Sequence, residues 1–231
     1  MDQLPLGLRL ADRAVFETFW PRGNEQLLEH LKQVALGGAG VTWLAGPHAS
    51  GKSHLLQATC ALAPAARRCG FFPLSQLQGL GPAALEGLPR LDLVCLDDLQ
   101  LVAGKAEWEQ ALFGLHRELE ESGGSLIAAA PEPPALLPWG LKDLGSRFTG
   151  AAIQTLRPLD EAGQRDALML RARVRGFELP EEVARWLQRR YPRDMGTLYQ
   201  LLDTLDSAAL IAQRRLTLPF IRSVLLRRAQ P

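Results

Sequence analysis

No stretch of the 231 residues offers the 18 or more consecutive apolar side chains that a membrane-spanning helix requires. The opening segment, residues 1–16, is interrupted by Pro5, Asp12 and Arg13 and has no apolar run long enough for a secretory signal. Both absences lead to the expectation of a cytoplasmic protein without a membrane partner. An excess of one charge is also missing. The 26 Lys and Arg against 25 Asp and Glu give +1, too weak a field to argue by itself for a nucleic-acid or membrane surface. The three cysteines, Cys60, Cys69 and Cys95, are odd in number and form no CxxC pair, so neither a disulfide framework nor a zinc site is suggested. They read as reduced apolar core thiols. Internal repeats and low-complexity tracts are absent as well.

What is present is ordinary globular composition, 47% apolar and 22% charged, in a chain long enough to bury a core without staples. Residues 1–15 read as an extended tail. Asn24 can cap a helix whose apolar face is Leu27, Leu28, Leu31 and Val34, and Gly37, Gly38 and Gly40 end it. Five strands are expected at 41–45, 68–73, 91–96, 125–130 and 151–156. Leu91–Leu96 is continuously apolar, as a strand buried on both faces should be. Helices are expected at 52–62, 106–121 and 140–148 between them. The alternation predicts an α/β core with a parallel five-stranded sheet covered on both faces. After Pro158 only helical segments follow, at 160–175, 180–190, 195–213 and 217–228. The expected organisation is therefore a tail at 1–11, a nucleotide-binding core at 12–157 and a small all-helical lid at 158–231.

The chemistry is concentrated at Gly46-Pro47-His48-Ala49-Ser50-Gly51-Lys52-Ser53, a GxxxxGK[ST] phosphate-binding loop between a predicted strand and a predicted helix. Its glycines let backbone N–H groups face phosphate oxygens, Lys52 supplies a point charge, and Ser53 can ligate magnesium. The helix that begins there adds its dipole. About 40 residues later an apolar strand delivers Asp97 and Asp98 to the same edge. Asp97 would hold magnesium through water, and Asp98 could orient or deprotonate an attacking water. The cofactor expected is ADP or ATP with Mg2+.

Several residues carry a resemblance. Asp97-Asp98-Leu99-Gln100, Gly51-Lys52-Ser53-His54-Leu55-Leu56 and Phe16-Glu17-Thr18-Phe19-Trp20 with Asn24 resemble segments of the bacterial replication initiator DnaA, an AAA+ ATPase. The likeness runs over nearly the whole chain from about residue 12. It implies a P-loop AAA+ core, and it places Arg147, in Ser146-Arg147-Phe148, at the arginine finger that reaches a neighbour's nucleotide. Read without the resemblance, Arg147 would be a solvated helix-end arginine. His54 is drawn into the nucleotide site by the same pattern, with a packed histidine as the alternative. The initiator's helix-turn-helix module is not expected after Pro231, nor its long N-terminal region. At the start stands Gln3-Leu4-Pro5-Leu6-Gly7-Leu8, which resembles the tail by which many proteins dock on the DNA polymerase sliding clamp. Gln3 would bond at the pocket rim, Leu4 belongs to the same motif, and Leu6 and Leu8 would fill an apolar groove. With Val174-Arg175-Gly176-Phe177-Glu178-Leu179-Pro180-Glu181, these features are similar to the Hda-type regulatory inactivators of DnaA.

The resemblance implies an ADP-bound adaptor. It would dock on the β clamp of DNA polymerase III, meet DNA indirectly through the loaded clamp, and stimulate hydrolysis of DnaA-bound ATP through Arg147. Two departures qualify its own chemistry. Ala129 stands where a Thr, Ser or Asn should sense the γ-phosphate, and Gly196 stands where a lid arginine is usual. Arg193, three residues earlier, could substitute in phosphate contact. Weak intrinsic ATP turnover is the expectation. The run Arg171, Arg173, Arg175 could meet phosphate or sit beside carboxylates. Trp43, Trp108, Trp139 and Trp186 read as core or interface aromatics. A homo-oligomer stays open. The alternative function is a free-standing AAA+ helicase loader, while a sequence-specific origin factor would lack its reading module.

Overall fold

Side-chain alternation along the strands sorts the molecule into layers. The computed structural model describes residues 14–191, 194–212 and 216–228. Within them β1 (Gly40–Ala45), β2 (Cys69–Pro73), β3 (Leu93–Asp97), β4 (Ser125–Ala130) and β5 (Ala152–Thr155) form a parallel sheet in the order β2-β3-β4-β1-β5. Trp43, Ala45, Val94, Leu96, Leu126, Ala128 and Ala130 face one side. There they meet Trp108, Leu112, Leu115 and Leu119 of α4 (Ala106–Ser122) and Leu144 and Phe148 of α5 (Lys142–Thr149). Leu44, Leu93, Cys95, Ile127 and Ala129 face the other side, against α1 (Glu25–Ala35) and α2 (Lys52–Leu62). Burial on both faces is why β3 and β4 are apolar along nearly their whole length. The α/β fold class expected from the sequence is the one observed.

The stretch between β2 and β3, on which the sequence pattern is silent, folds as α3 (Leu74–Leu77) and three short 3-10 turns. These carry Leu74, Leu85 and Leu88 into the core, yet each is too short to show a period. The strand expected from Leu91 begins only at Leu93, because the Leu91 N–H closes the preceding turn onto the Leu88 carbonyl at 2.9 Å.

Asn24 occupies the N-cap position of α1 but makes no capping bond. Its amide instead pairs with the backbone of Arg157: Nδ2 donates to the Arg157 carbonyl at 3.1 Å, and the Arg157 N–H donates to Oδ1 at 2.8 Å. The reason is burial. Asn24 is 3% exposed, and the peptide beyond the end of β5 needs a partner that imitates a strand.

Beyond that link lie α6 (Glu161–Val174), α7 (Glu181–Arg190), α8 (Met195–Ala212) and α9 (Leu218–Arg228). They surround their own apolar cluster, which includes Leu168, Val183, Leu187, Leu198, Leu202 and Ile221. Asp160 caps α6 by accepting from the Gly163 N–H at 2.7 Å.

At the amino-terminal edge of the sheet a single guanidinium joins several elements. Arg67 donates to the Val34 and Ala35 carbonyls at the end of α1, to the Gly38 and Asp92 carbonyls, and to Ser125 Oγ at 2.9 Å. Arg67→Met keeps the stem and strands those acceptors. It should lower unfolding stability by about 2–3 kcal/mol, read from denaturant midpoints, and leave nucleotide affinity at the opposite edge unchanged.

Candidate functional site

β1 and β4 end together, Ala45 opposite Ala130, and the Gly46 N–H donates to the Ala130 carbonyl at 3.2 Å. From that anchor the chain turns through Ala49 (φ 57°) and Gly51 (φ 104°) into α2. Two left-handed residues in so short a turn present successive backbone N–H groups to one concavity, an anion-binding geometry. Gly51 is obligatory for a second reason: a Cβ there would lie 2.8 Å from Cε2 of Phe19. Lys52 is buried, and its Nζ donates to the Gly46 and Pro47 carbonyls at 2.7 and 3.0 Å. Burial pulls its pKa down, and the charges of Asp97 and Asp98 oppose the shift. Ser50 Oγ is buried without a partner among the described residues.

Asp97 closes β3, one strand away from β4 and two from the loop. It is 2% exposed, and its carboxyl is held above the usual range chiefly by desolvation, against a hydrogen bond from Ser53. Its Oδ1 accepts the Asp98 N–H at 3.0 Å. Asp98 adopts φ 60°, ψ 40°, a conformation that costs a non-glycine residue about 1–2 kcal/mol. Its Oδ1 accepts from Gln100 Nε2 at 3.3 Å. Ser53 and Asp97 offer only oxygen donors, which fits a hard cation such as Mg2+. Pro47 is exposed at the loop's outer rim.

His54 is turned elsewhere. Its Nε2 lies 2.9 Å from the Val15 carbonyl and 3.2 Å from Thr18 Oγ1, and its ring packs 5.8 Å from that of Phe19. This placement matches the packed alternative: His54 fastens the 15–19 segment beside the loop.

Arg147 lies at the opposite edge. It lines a cavity of about 560 Å3 with Gly40 and Val41 at the start of β1 and with His116, Glu120 and Gly124. The length of β1, roughly 17 Å at about 3.3 Å per residue, separates it from the chain's own phosphate loop. Its Nη1 donates to Glu120 Oε2 at 2.8 Å and meets His116 Nδ1 at 3.4 Å, with the guanidinium 5.0 Å from the Phe113 ring centre. Burial first, then the Arg147 charge, press the His116 pKa down, which favours the neutral ring.

Residues 153–225 match the family model described as Hda, lid domain. Among solved structures, domain III of the replication initiation protein DnaA from Thermotoga maritima superposes with a TM-score of 0.78 at 22% identity, over 95% of this chain and 98% of that one. AMPPCP-bound DnaA from Aquifex aeolicus gives 0.65 at 23% identity, over 78% and 62%. The Holliday junction branch migration motor RuvB of T. maritima gives 0.62 at 18%, over 89% and 67%. The chain has the fold of DnaA domain III, and its segment 153–225 is similar to the Hda lid.

The end of β4 is Ala128-Ala129-Ala130, fully buried and packed into both faces of the core. No side chain there can reach a phosphate by hydrogen bonding. Gly196 sits in the first turn of α8, where Asp194 accepts the Thr197 N–H at 2.7 Å. Arg193, Gln3, Leu4, Leu6 and Leu8 lie outside the described residues. Arg171 and Arg175 are committed to α8: Arg175 bonds Asp203 at 2.6 Å and Arg171 stacks on Tyr199 at 4.2 Å, leaving Arg173 exposed. No described helix is long and apolar enough to cross a membrane, and no metal-holding cluster of His, Cys, Asp and Glu occurs among the described residues.

Pattern reasoning missed the residues around Arg147 and the carboxylate of Glu109. Of the two acids that flank Trp108 at the start of α4, Glu107 is exposed and Glu109 is 1% exposed, a difference that only its spacing to Leu112 and His116 could have signalled. The raised Asp97 pKa yields a prediction. A carboxyl whose folded pKa exceeds its unfolded value binds more protons when folded, so stability falls as pH rises through that interval. Asp97→Asn should therefore raise the melting temperature of the nucleotide-free protein at pH 7 by roughly 2–4 °C, and should reduce the further rise that Mg2+ and nucleotide produce. Calorimetry of both proteins with and without Mg-ADP reads both effects.

Proposed function

We propose that this chain is a nucleotide-bound regulator of chromosome replication that acts on DnaA. The Hda-type lid on a DnaA-like core supports that role. In the finer reading, the loop at Gly46–Ser53 would hold ADP, Ser53 and, through water, Asp97 would hold Mg2+, and the nucleotide would serve as a structural ligand of a core at 12–157 closed by a lid at 158–231. Gln3, Leu4, Leu6 and Leu8 of the 1–11 tail dock on the sliding clamp of DNA polymerase III, so the chain meets DNA through the loaded clamp. Arg147 then reaches ATP held by DnaA.

One observation carries the reading: Arg147 is a sheet-length away from its own phosphate loop, on a solvent-facing cavity. An arginine there can act only on another molecule's nucleotide. Its guanidinium would leave Glu120 and donate to the equatorial oxygens of the γ-phosphoryl group as charge develops on them. Such a finger accelerates hydrolysis by about 10³–10⁵. With alanine at 128–130, no side chain at that edge of β4 stabilises the same charge on the chain's own nucleotide.

DnaA-bound ATP should be hydrolysed faster when this protein and DNA-loaded clamp are added. Arg147→Ala should abolish the stimulation at unchanged clamp binding, and Gln3→Ala/Leu4→Ala should abolish it by losing the clamp. Absence of stimulation by the wild type overturns the reading. Turnover of ATP by this chain alone should be no higher in the wild type than in Asp98→Asn. A substantial steady-state rate that Asp98→Asn removes would show a working hydrolase instead.

A further inference from the structure

Glu109 is an ionisable side chain of α4, only 1% exposed, and its oxygens accept from backbone. Oε1 accepts the N–H groups of Gly104 at 2.7 Å and Gly140 at 3.1 Å, and Oε2 accepts that of Leu141 at 2.6 Å. The two ends of this bridge have different duties. Gly104 ends the turn that starts at Asp98, and Leu141 is the N-cap residue of α5, the helix that carries Arg147.

The rest of α5 is keyed as tightly. A Cβ at Gly145 would lie 2.8 Å from Cδ1 of Trp139, so the indole sits directly on the helix backbone. Trp139 also packs 5.4 Å from Phe148, and its Nε1 donates to the Pro134 carbonyl at 2.7 Å. Phe148 packs 5.2 Å from Trp43 of β1. Aromatic packing thus fixes the height of α5 over the sheet, and the Glu109 carboxylate fixes its start.

We propose that Glu109 is the positioning residue of Arg147, a strut that sets the finger helix relative to the turn following Asp97 and Asp98. A charge-assisted bond to three N–H groups is strong and directional, and a neutral amide replaces one of its acceptors with a donor. Displacement of a catalytic group by about 1 Å costs on the order of 10²-fold in rate. The proposal rests on the reading of Arg147 as a finger.

The test uses full-length protein, DNA-loaded clamp and ATP-bound DnaA, comparing wild type, Glu109→Gln, Arg147→Ala and the double variant. Glu109→Gln should lower maximal stimulation by about 10²-fold with an unchanged half-saturating concentration, and the double variant should be no worse than Arg147→Ala. Amide exchange at Gly104, Gly140 and Leu141 and through α5 should rise in Glu109→Gln. If Glu109→Gln does not fold, Gly140→Ala replaces it: an added Cβ would stand 3.2 Å from Glu109 Oε2 on an otherwise exposed loop, and a several-fold loss of maximal stimulation is expected. Full stimulation by the folded variant, or a loss seen only in half-saturation, overturns the strut. Persistent stimulation by Arg147→Ala overturns the finger itself, and the exchange data alone then decide whether Glu109 holds α5.

Discussion

Parallel pairing in a single register is the constraint on which the rest depends. Ser125 of β4 stands opposite Gly40 of β1 and Leu93 of β3, so three strands start and end nearly in line. Helices cover both faces, which leaves the sheet only its two edges for polar work. The carboxyl edge gathers the left-handed turn of the phosphate loop, the buried Lys52 and the two aspartates. The amino edge gathers Arg67 as a tie and Arg147 as a partly exposed cation paired with Glu120. In the proposed function, an edge that holds phosphate and an opposite edge that presents a guanidinium would be complementary only between different molecules. That is the head-to-tail geometry of a heterologous interface.

Strained backbone at the carboxyl edge is informative because it is kept. Ala49 and Asp98 both occupy left-handed space without being glycine, at about 1–2 kcal/mol each. A fold that needed no phosphate could relax both. Between them, β4 ends in three alanines whose side chains are wholly given to packing. Binding geometry is retained while the polar group that would read the third phosphate is not. The two facts together support the proposal of a diphosphate as the ligand.

Legibility in the sequence followed the range of the cause. The bounds of α2 and β4 could be read because a loop motif and a continuous apolar run are local signals. Asn24 was rightly read as the start of α1, but its side-chain partner, the Arg157 peptide, could not be foreseen because it is 133 positions away. His54 is ambiguous in sequence for the same reason: only the folded chain brings Val15 and Thr18 against it. Glu109 left almost no trace, since its partners are N–H groups that every residue but proline carries. The 74–90 stretch hid its buried leucines in turns shorter than one helical period. Arg147 could be located by resemblance, but its contacts with Phe113, His116 and Glu120 could not.

Those contacts decide how Arg147 can serve a partner. The Glu120 side chain is 63% exposed, and an ion pair so open to water is worth about 0.2–1 kcal/mol. Bonds from a guanidinium to a phosphate in a closed interface are stronger, because both charges are then shielded from solvent. In the proposed docking, exchange of Glu120 for phosphate would therefore run downhill and would need no separate release step. The stack on Phe113 serves a different end, since it holds the long side chain extended along α4 and reduces the rotamer freedom lost on docking. Readiness of the finger thus rests on the weak pair at its tip only slightly. It rests mainly on the rigid base of α5, where Trp139, Phe148 and the Glu109 carboxylate leave the helix a single seat.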